Sequence, residues 1–221
     1  MIKKQAFYLS IALLASPLVA WADMPPDQPA NPVQQTLLQL PQACPTLASG
    51  LTPQTQALLQ AFYEGQNYQP VWAQEGRLAA LQAALPQLAD DGLDPLNYPL
   101  PEGQDLCADI DTSRQYLQAL HDLHFGRLTQ SRFEPVWHAN AVEVDPQAEL
   151  LAIAGPGVQN VAAAFAQARP ALEQYQDLRR VYARERQQPL PQWQPIADGP
   201  LLRPGMQDAR VPALARRLAS E

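Results

Sequence analysis

The sequence has few cysteines, few lysines, no long apolar run after its N-terminal segment and no common enzyme motif, and these shortages exclude several classes of protein. Of its 221 residues only two are cysteine and only two are lysine, Lys3 and Lys4. After residue 20 no stretch is continuously apolar, and a membrane-spanning helix needs about 20 such residues. The sequence also has no phosphate-binding glycine loop, no nucleophile elbow and no HExxH zinc motif. It therefore does not resemble the enzymes that such motifs identify.

The N-terminal segment, which holds both lysines, has the pattern of a secretory signal. An uncharged apolar run covers residues 6–19, and Ala20 and Ala22 are the small residues that a signal peptidase reads. We predict cleavage between Ala22 and Asp23, and therefore a periplasmic protein with no stable membrane anchor after cleavage. The alternative is an uncleaved N-terminal anchor. Because no cysteine stands directly after the run, we do not expect lipoprotein processing.

Removal of residues 1–22 leaves an acidic chain. It has 13 arginines, no lysine and 22 acidic residues, which gives a net charge of −9. This charge favours solubility and argues against nucleic acid or an anionic membrane as a partner. The remaining chain is long enough for one good core, or for a domain with a small appendage.

The two cysteines are Cys44 and Cys107. Export would place them in an oxidising compartment, where a lone pair of cysteines commonly forms a disulfide, so we predict this bond. Two buried free thiols are the alternative. A catalytic thiol is the least favoured interpretation, because neither cysteine has a histidine or another base near it in sequence.

Composition divides the chain into five parts. Residues 1–22 are the signal, and residues 23–50 are rich in Pro and Gln, which predicts an extended leader. Residues 51–187 show helical spacing of apolar residues and no alternating strand pattern, so we predict an all-α, irregular helical bundle. Residues 188–206 are a Pro-rich linker, and one amphipathic helix is predicted in residues 207–221.

Local signals predict the first two helices of the bundle. Thr52 is a good N-cap for a helix that begins at Pro53 and ends at Gly65. The segment after it, Tyr68 to Trp72, is predicted to be short and extended. Four leucines at helical spacing then predict a helix that Pro86 interrupts. They are Leu78, Leu81, Leu85 and Leu88, and a turn at Gly92 with positive φ ends this run.

The later part of the bundle is predicted to contain further helices. Asp111 or Thr112 is expected to cap a third helix, which Gly126 ends. Two Ala-rich stretches follow, around 147–153 and 158–168. A further helix is expected to begin at Pro170, and four arginines crowd its C-terminal end, where cations complement the helix dipole. They are Arg179, Arg180, Arg184 and Arg186.

Two groups of residues are candidates for chemistry. His121, His124 and His138 could together hold a metal ion, but their spacing is common, and surface or partly buried polar roles are favoured. Asp90, Asp91 and Asp94 could be paired carboxylates for acid–base catalysis, although Asp near Gly and Pro more often caps turns. We expect no bound metal or cofactor.

Four further residues are candidates for a domain interface. Trp72, Trp137 and Trp193 are large anchors that are expected in the core or between domains rather than stacked on sugars. Arg127 follows the glycine that ends the third helix. Its guanidinium could hold a carboxylate of a partner domain or cap the carbonyls of its own helix.

Several segments form an ordered set along the chain. They are Tyr68-Gln69-Pro70-Val71-Trp72; the leucine helix ending in Asp90-Asp91-Gly92-Leu93-Asp94-Pro95, with Tyr98 after it; the helix Tyr116 to Leu123 closing in Gly126-Arg127-Leu128; Trp137; and Tyr175 with Leu178 and Tyr182. In this order they resemble the scaffold domain of the large, multi-domain L,D-transpeptidases of Gram-negative bacteria. The resemblance covers roughly Leu51 to Glu221.

The C-terminal segment resembles the opening of a peptidoglycan-binding module. In that family the module follows the scaffold across a Trp- and Pro-containing linker, and the stretch from Trp193 to Pro200 is similar to it. The resemblance therefore implies that residues 207–221 are the first helix of an incomplete three-helix module. The matching residues are Leu202, Arg203, Pro204, Gly205, Asp208, Val211, Leu214 and Leu218.

The family forms 3–3 cross-links between peptidoglycan stems through a thioester on a cysteine in a Ser-x-Gly-Cys-x-Arg motif. Neither Cys44 nor Cys107 stands in such a motif, so no catalytic residue is carried over. The resemblance implies a non-catalytic scaffold, inactive alone, with peptidoglycan or a missing catalytic domain as its partner. The alternatives are a stand-alone periplasmic helical adaptor and, much less favoured, a metal-dependent hydrolase that uses the three histidines.

Overall fold

The computed structural model describes residues 31–128, 145–189 and 194–219. Within these ranges the chain forms ten α-helices and two 3₁₀ helices and no strand, which confirms the all-α prediction. The α-helices are α1 Pro32–Leu38, α2 Leu40–Ala43, α3 Pro45–Ala48, α4 Pro53–Gly65, α5 Arg77–Ala84, α6 Leu106–His124, α7 Pro146–Gly157, α8 Val161–Ala168, α9 Glu173–Glu185 and α10 Val211–Leu218. The 3₁₀ helices are Leu85–Asp91 and Pro95–Asn97.

Some of the sequence predictions fall outside the described residues. They are the signal segment with Ala22 and Asp23, and the side chains of Trp137, His138 and Trp193. Within the described parts of the chain, no helix is long and apolar enough to cross a membrane.

The 19-residue helix α6 is the centre of the bundle. Helices α1, α4, α7 and α8 and the 3₁₀ helix Leu85–Asp91 all pack against it. Its Tyr116, Ala119 and Leu120 are completely buried, and Tyr116 contacts the rings of Phe62, Trp72 and Phe165. Apolar side chains of both halves of the chain therefore meet in one core around this helix.

Residues 32–48 are helical and belong to the core, so the prediction of an extended leader is wrong for them. Asn31 caps α1 by accepting from Val33 N, with Pro32 at the first position. Val33, Leu37 and Leu40 are each at most 2% exposed. Their spacing of four and three residues is a helical stripe that the Gln-rich composition conceals.

The Cys44–Cys107 disulfide is present, with an S–S distance of 2.00 Å, which confirms the prediction. It joins the residue between α2 and α3 to the first turn of α6. The sequence separation is 63 residues, and closing a loop of this length contributes on the order of 4 kcal/mol in the chain-entropy account. The disulfide therefore fastens the three N-terminal helices to the bundle.

Pro86 and Gly92 act as predicted on the leucine helix. At Leu85 the α-helix changes to a 3₁₀ helix, because the proline cannot donate the α-helical hydrogen bond. Gly92 ends the run at a φ of 78°.

The start of α6 was predicted wrongly. Asp105 caps it by accepting from Ala108 N, so Asp111 and Thr112 lie inside the helix rather than at its beginning.

The Ala-rich segments form α7 and α8, and a glycine lets them approach α6. Gly157 is the last residue of α7, and a Cβ there would lie 2.5 Å from Ala164 Cβ and even closer to the Tyr116 hydroxyl. Only glycine therefore fits this junction of three helices. Helix α9 begins at Glu173, three residues later than predicted from Pro170.

Candidate functional site: two buried carboxylates and an exposed helix

The first buried carboxylate is that of Asp109, in the first turn of α6. It accepts from the Tyr63 hydroxyl at 2.5 Å, from Val71 N at 3.0 Å and from Trp72 N at 2.7 Å. Ser113, one turn further along α6, hydrogen bonds the Tyr63 hydroxyl and accepts from Trp72 Nε1 at 2.9 Å. We call these five residues the Asp109 network. All its donors to the carboxylate are uncharged, and the site at the helix N-terminus favours a negative charge.

The Asp109 network holds an unusual turn in place. Asn67 and Tyr68 have φ of 54° and 53°, a conformation that non-glycine residues rarely adopt. The segment that was predicted to be extended therefore begins with a turn at Asn67 and Tyr68, and it forms no strand. Two adjacent residues in this region cost about 1–3 kcal/mol each, which the surrounding contacts must offset.

Burial fixes the protonation of Tyr63 in this network. Burial raises the pKa of Tyr63 far above its usual range, and the neighbouring charge of Asp109 and the hydrogen bond to it raise it further. The hydroxyl therefore remains a donor to Asp109. Trp72 is only 5% exposed and lies in the core, which is one of the two locations expected for it.

The second buried carboxylate is that of Asp91, at the end of the 3₁₀ helix that follows α5. Arg169 donates to it through two nitrogens, at 2.8–3.0 Å, and Arg179 donates through Nε at 2.7 Å. The Tyr175 hydroxyl adds a fourth donor group at 2.9 Å. The Asp91 side chain is 1% exposed. We call this cluster, together with Asp90 and its partners, the Asp91 clamp.

Asp90 extends the clamp towards solvent. It accepts from Arg186 at 3.0 Å, and Arg179 lies 3.8 Å from its other oxygen. The burial of Tyr175 and its hydrogen bond to Asp91 raise the pKa of that tyrosine to about 12. Asp91 was predicted to cap a turn. The structure shows a larger role, because its hydrogen bonds from Tyr175 and Arg179 fix α9 to the bundle. Asp94 does act as a cap, accepting from Leu96 N.

The two described histidines have polar protein partners. His124 lies between Ala168 O and a carboxylate oxygen of Glu149, at 3.0 Å from each, and so links α6 to α7 and α8. His121 Nδ1 is 3.2 Å from Asp122. In the described ranges no group of three or more His, Cys, Asp or Glu residues is arranged to hold a metal ion.

Arg127 lies 3.7 Å from Asp122 and is half exposed. The Tyr98 hydroxyl and the Gln118 amide also donate to Asp122. Burial alone would raise the pKa of Asp122, but hydrogen bonds from His121, Tyr98 and Gln118 outweigh it and lower the pKa. Arg127, which lies just after α6, therefore interacts with a side chain near the C-terminus of that helix.

The arrangement has no thiol nucleophile, because both cysteines of the sequence are joined in the disulfide. A family model described as Scaffold domain matches residues 57–181, more than half of the chain. The chain belongs to the Scaffold domain family. No curated protein and no solved structure matches the chain.

The matched range of the scaffold domain contains both buried carboxylates and ends at Val181, inside α9. This helix has no buried residue along its 13 positions. Leu178, Val181 and Tyr182 are 68%, 44% and 45% exposed, and we call them the apolar stripe of α9. Tyr175, Leu178 and Tyr182 also line a shallow groove of about 260 Å³ against Gly92. The sequence resemblance includes Tyr175, Leu178 and Tyr182, but it does not indicate that Leu178 and Tyr182 are exposed.

Helix α10 follows the scaffold domain and has no buried residue either. Its beginning is held locally: Arg210 donates to Asp208 and to Pro200 O. The side-chain and backbone hydrogen bonds from Arg210 lower the pKa of Asp208 to about 2. Val211 and Leu218 are 41% and 62% exposed.

Proposed function

We propose that this chain is the non-catalytic scaffold part of a peptidoglycan L,D-transpeptidase, acting in cell-wall cross-linking in the periplasm. The observation that carries the proposal is the family match over residues 57–181, the region that holds most of the motifs shared with the scaffold of those enzymes. The role of the scaffold is to position the catalytic and wall-binding parts of the whole enzyme.

Two features of the molecule support a scaffold role. A disulfide, the Asp109 network and one continuous core make the bundle a rigid body. Rigid elements hold attached functional parts more accurately than loops do. The exposed stripe of α9 lies at the C-terminal end of the matched domain, and the linker and α10 follow it in the chain. The segment with α10 resembles the opening of a peptidoglycan-binding module.

The proposal is tested by incubating the full chain with tetrapeptide-stem muropeptides and with purified peptidoglycan sacculi. We expect no 3–3 dimer, because both cysteines lack a thiolate. The DNA that follows the codon for Glu221 is the second part of the test. A reading frame that continues into a Ser-x-Gly-Cys-x-Arg domain supports the proposal, whereas a cross-linked product made by this chain alone contradicts it.

The second candidate is a stand-alone helical adaptor, and the exposed apolar face of α9 favours it. An adaptor of this kind works through protein contacts and does not sediment with sacculi. A stop codon directly after Glu221, together with no binding to sacculi, would therefore decide for the adaptor.

Export is tested separately by intact-mass analysis of the protein from the periplasmic fraction. Because Ala20 and Ala22 fit a signal-peptidase site, the mature chain is expected to begin at Asp23. A periplasmic species that keeps Lys3 and Lys4 would contradict this expectation.

A further inference from the structure

His124 lies where α6, α7 and α8 meet, with an oxygen atom on each side of its ring. Nδ1 is 3.0 Å from the carbonyl oxygen of Ala168, the last residue of α8, and Nε2 is 3.0 Å from a carboxylate oxygen of Glu149 on α7. The side chains of His124 and Glu149 are 24% and 40% exposed. We call these three residues the His124 junction.

Both partners of the ring are acceptors. A backbone carbonyl has no proton to donate, and an ionised carboxylate has none either. A neutral imidazole carries one N–H, so it satisfies one of the two acceptors and turns a nitrogen lone pair towards the other. An imidazolium has an N–H on each nitrogen and satisfies both. The geometry of the junction therefore fits the charged ring.

The charges around the junction favour the same form. The carbonyl of Ala168 is among the last four of α8, which have no partner inside the helix, and the helix dipole favours a cation there. Glu149 supplies a negative charge from α7. Other charged groups on these elements have partners elsewhere: Asp145 caps α7, Arg169 donates to Asp91, and His121 and Arg127 lie beside Asp122.

We infer that His124 is protonated on both ring nitrogens in the folded bundle, and that this charge is a pH-sensitive lock on the end of α8. The inference goes beyond the proposed function and does not rest on it. The residue after Ala168 is Arg169, which donates to Asp91 in the Asp91 clamp. The lock therefore acts on the segment that leads into the clamp.

The direction of the pH effect follows from where the proton is held. The closed junction has an acceptor for each N–H group, so it holds the proton more tightly than an opened junction in which water surrounds the ring. As pH rises through the range in which histidine loses its charge, the opened form is therefore favoured. The hydrogen bond that a charged donor loses corresponds to about a tenfold change in this equilibrium.

Nitrogen-15 NMR of the full chain, with its disulfide intact and its resonances assigned, measures the protonation of each imidazole. At pH 7 an unperturbed histidine is mostly neutral. Both nitrogens of His124 are expected to show the shifts of an imidazolium at this pH. This measurement needs no variant, so it decides the protonation even if a substitution disturbs the fold.

Amide exchange of residues 161–169, corrected for the effect of pH on the intrinsic exchange rate, measures the lock. In the wild type we expect the protection of this segment to be about tenfold lower at pH 8.5 than at pH 6. His124→Gln has no charge to lose, so its protection is expected to be the same at both pH values.

Glu149→Gln separates the charge from the packing of the junction. Its amide N–H can donate to Nε2 of a neutral ring while Nδ1–H donates to Ala168 O, so the junction closes without a charge. We expect this variant to have a neutral His124 at pH 7 and equal protection at both pH values. His121→Gln is the control, because His121 lies beside Asp122 instead, and it should keep the wild-type pH profile.

Three outcomes would overturn the inference. They are a neutral His124 ring in the wild type at pH 7, a pH profile of His124→Gln that equals the wild-type profile, and a pH dependence that His121→Gln abolishes. The last outcome would assign the lock to the pair of His121 and Asp122.

Discussion

Asp109 and Asp91 are both buried carboxylates that hold another part of the chain, but their partners differ. Asp109 accepts from two backbone amides and a tyrosine hydroxyl, and it has no arginine among these partners. Asp91 accepts from two arginines and one tyrosine hydroxyl. Asp109 lies in the first turn of the central helix α6. Asp91 lies at the end of the 3₁₀ helix against which α9 packs.

The difference shows what each carboxylate stabilises. The Asp109 network fixes the backbone of a turn that leads into the core, so that its loss disturbs Trp72 and Tyr63, which are core residues. The Asp91 clamp holds a helix that has no buried residue, so that its loss releases α9 alone. Buried acids of similar exposure can therefore control global stability in one place and local docking in another.

Replacement of Asp109 is expected to have the largest effect. Asp109→Ala leaves two buried amides without their acceptor, at about 1–3 kcal/mol each, and leaves the Tyr63 hydroxyl with Ser113 as its only partner. We expect a loss of about 4 kcal/mol in the free energy of unfolding, measured by urea denaturation. Asp111→Ala in the same helix is the control, because its partly exposed pair with Arg114 contributes at most about 1 kcal/mol.

Equal losses in these two variants would mean that the Asp109 network contributes little. In that case the core would hold the segment from Tyr68 to Trp72 without it.

Replacement of Asp91 is expected to have a smaller and local effect. Asp91→Ala removes the acceptor of Arg169, Arg179 and Tyr175, and the loss of one partner of a buried ion pair costs about 3 kcal/mol. Since α9 has no buried residue, we expect its amides to exchange rapidly while the amides of α6 keep their protection. Amide exchange followed by mass spectrometry measures both helices in one sample.

Asp90→Ala is the matched control for the clamp, because Asp90 is adjacent but 29% exposed. It should change exchange in α9 only slightly. A uniform loss of protection through α6 in Asp91→Ala would show that α9 is part of the cooperative core, contrary to the expected local release.

The sequence predicted the elements of the bundle better than the contacts between them. Leucine spacing, Pro86 and Gly92 located α5 and the 3₁₀ helix after it, because helical periodicity and backbone restrictions are local. The start of α6 was misplaced, since Asp105 and Asp111 are both acceptable N-caps and only the tertiary structure selects between them. Helix α1 was missed because its three apolar residues stand among glutamines.

The functions of the two carboxylates could not be predicted in the same way. Asp91 and its partners Arg169 and Arg179 are 78 and 88 residues apart, and nothing near Asp91 distinguishes it from a turn residue. The burial of Asp109 could have been predicted from the sequence. It lies one turn before Ser113 and two turns before Tyr116, on the face of α6 that is buried. An acidic residue on an apolar face predicts a buried network, which needs partners from elsewhere in the chain.

High pH is expected to distinguish the two regions further. The pKa of Tyr175 is raised to about 12 from its ordinary value of 10, and the pKa of Tyr63 is raised beyond it. Above pH 10 the unfolded chain loses these protons while the folded chain keeps them, so the free energy of unfolding falls as pH rises. Near pH 12 Tyr175 ionises beside Asp91 and the clamp weakens, whereas Tyr63 still donates to Asp109.

Ultraviolet absorbance of tyrosinate measures this titration in the wild type and in Tyr175→Phe. We expect the variant to lack one group that titrates near pH 12 and to retain the groups that ionise only on unfolding. Identical curves for the two proteins would contradict the assignment of Tyr175.

Removal of the segment after Gln187 is expected to have the smallest effect. This segment contains α10, which has no buried residue, and burial of a Leu side chain contributes roughly 1.5–3 kcal/mol only when a partner covers it. A chain that ends at Gln187 keeps the Asp109 network and the Asp91 clamp. We therefore expect its melting temperature to stay within a few degrees of the full chain, and the amides from Asp208 to Ala219 to exchange at nearly the unprotected rate in the full chain.

A chain that ends at Ala168 is the control for this truncation, because it also removes the arginines of the Asp91 clamp and leaves Asp91 without a cation. Its melting temperature should fall clearly further, since a buried carboxylate without its partners is costly. If the chain that ends at Gln187 loses as much stability, or if α10 is strongly protected, then α10 is docked on the bundle. The exposed stripe of α10 would then find its partner within this chain, and the adaptor would gain support over the scaffold of a larger enzyme.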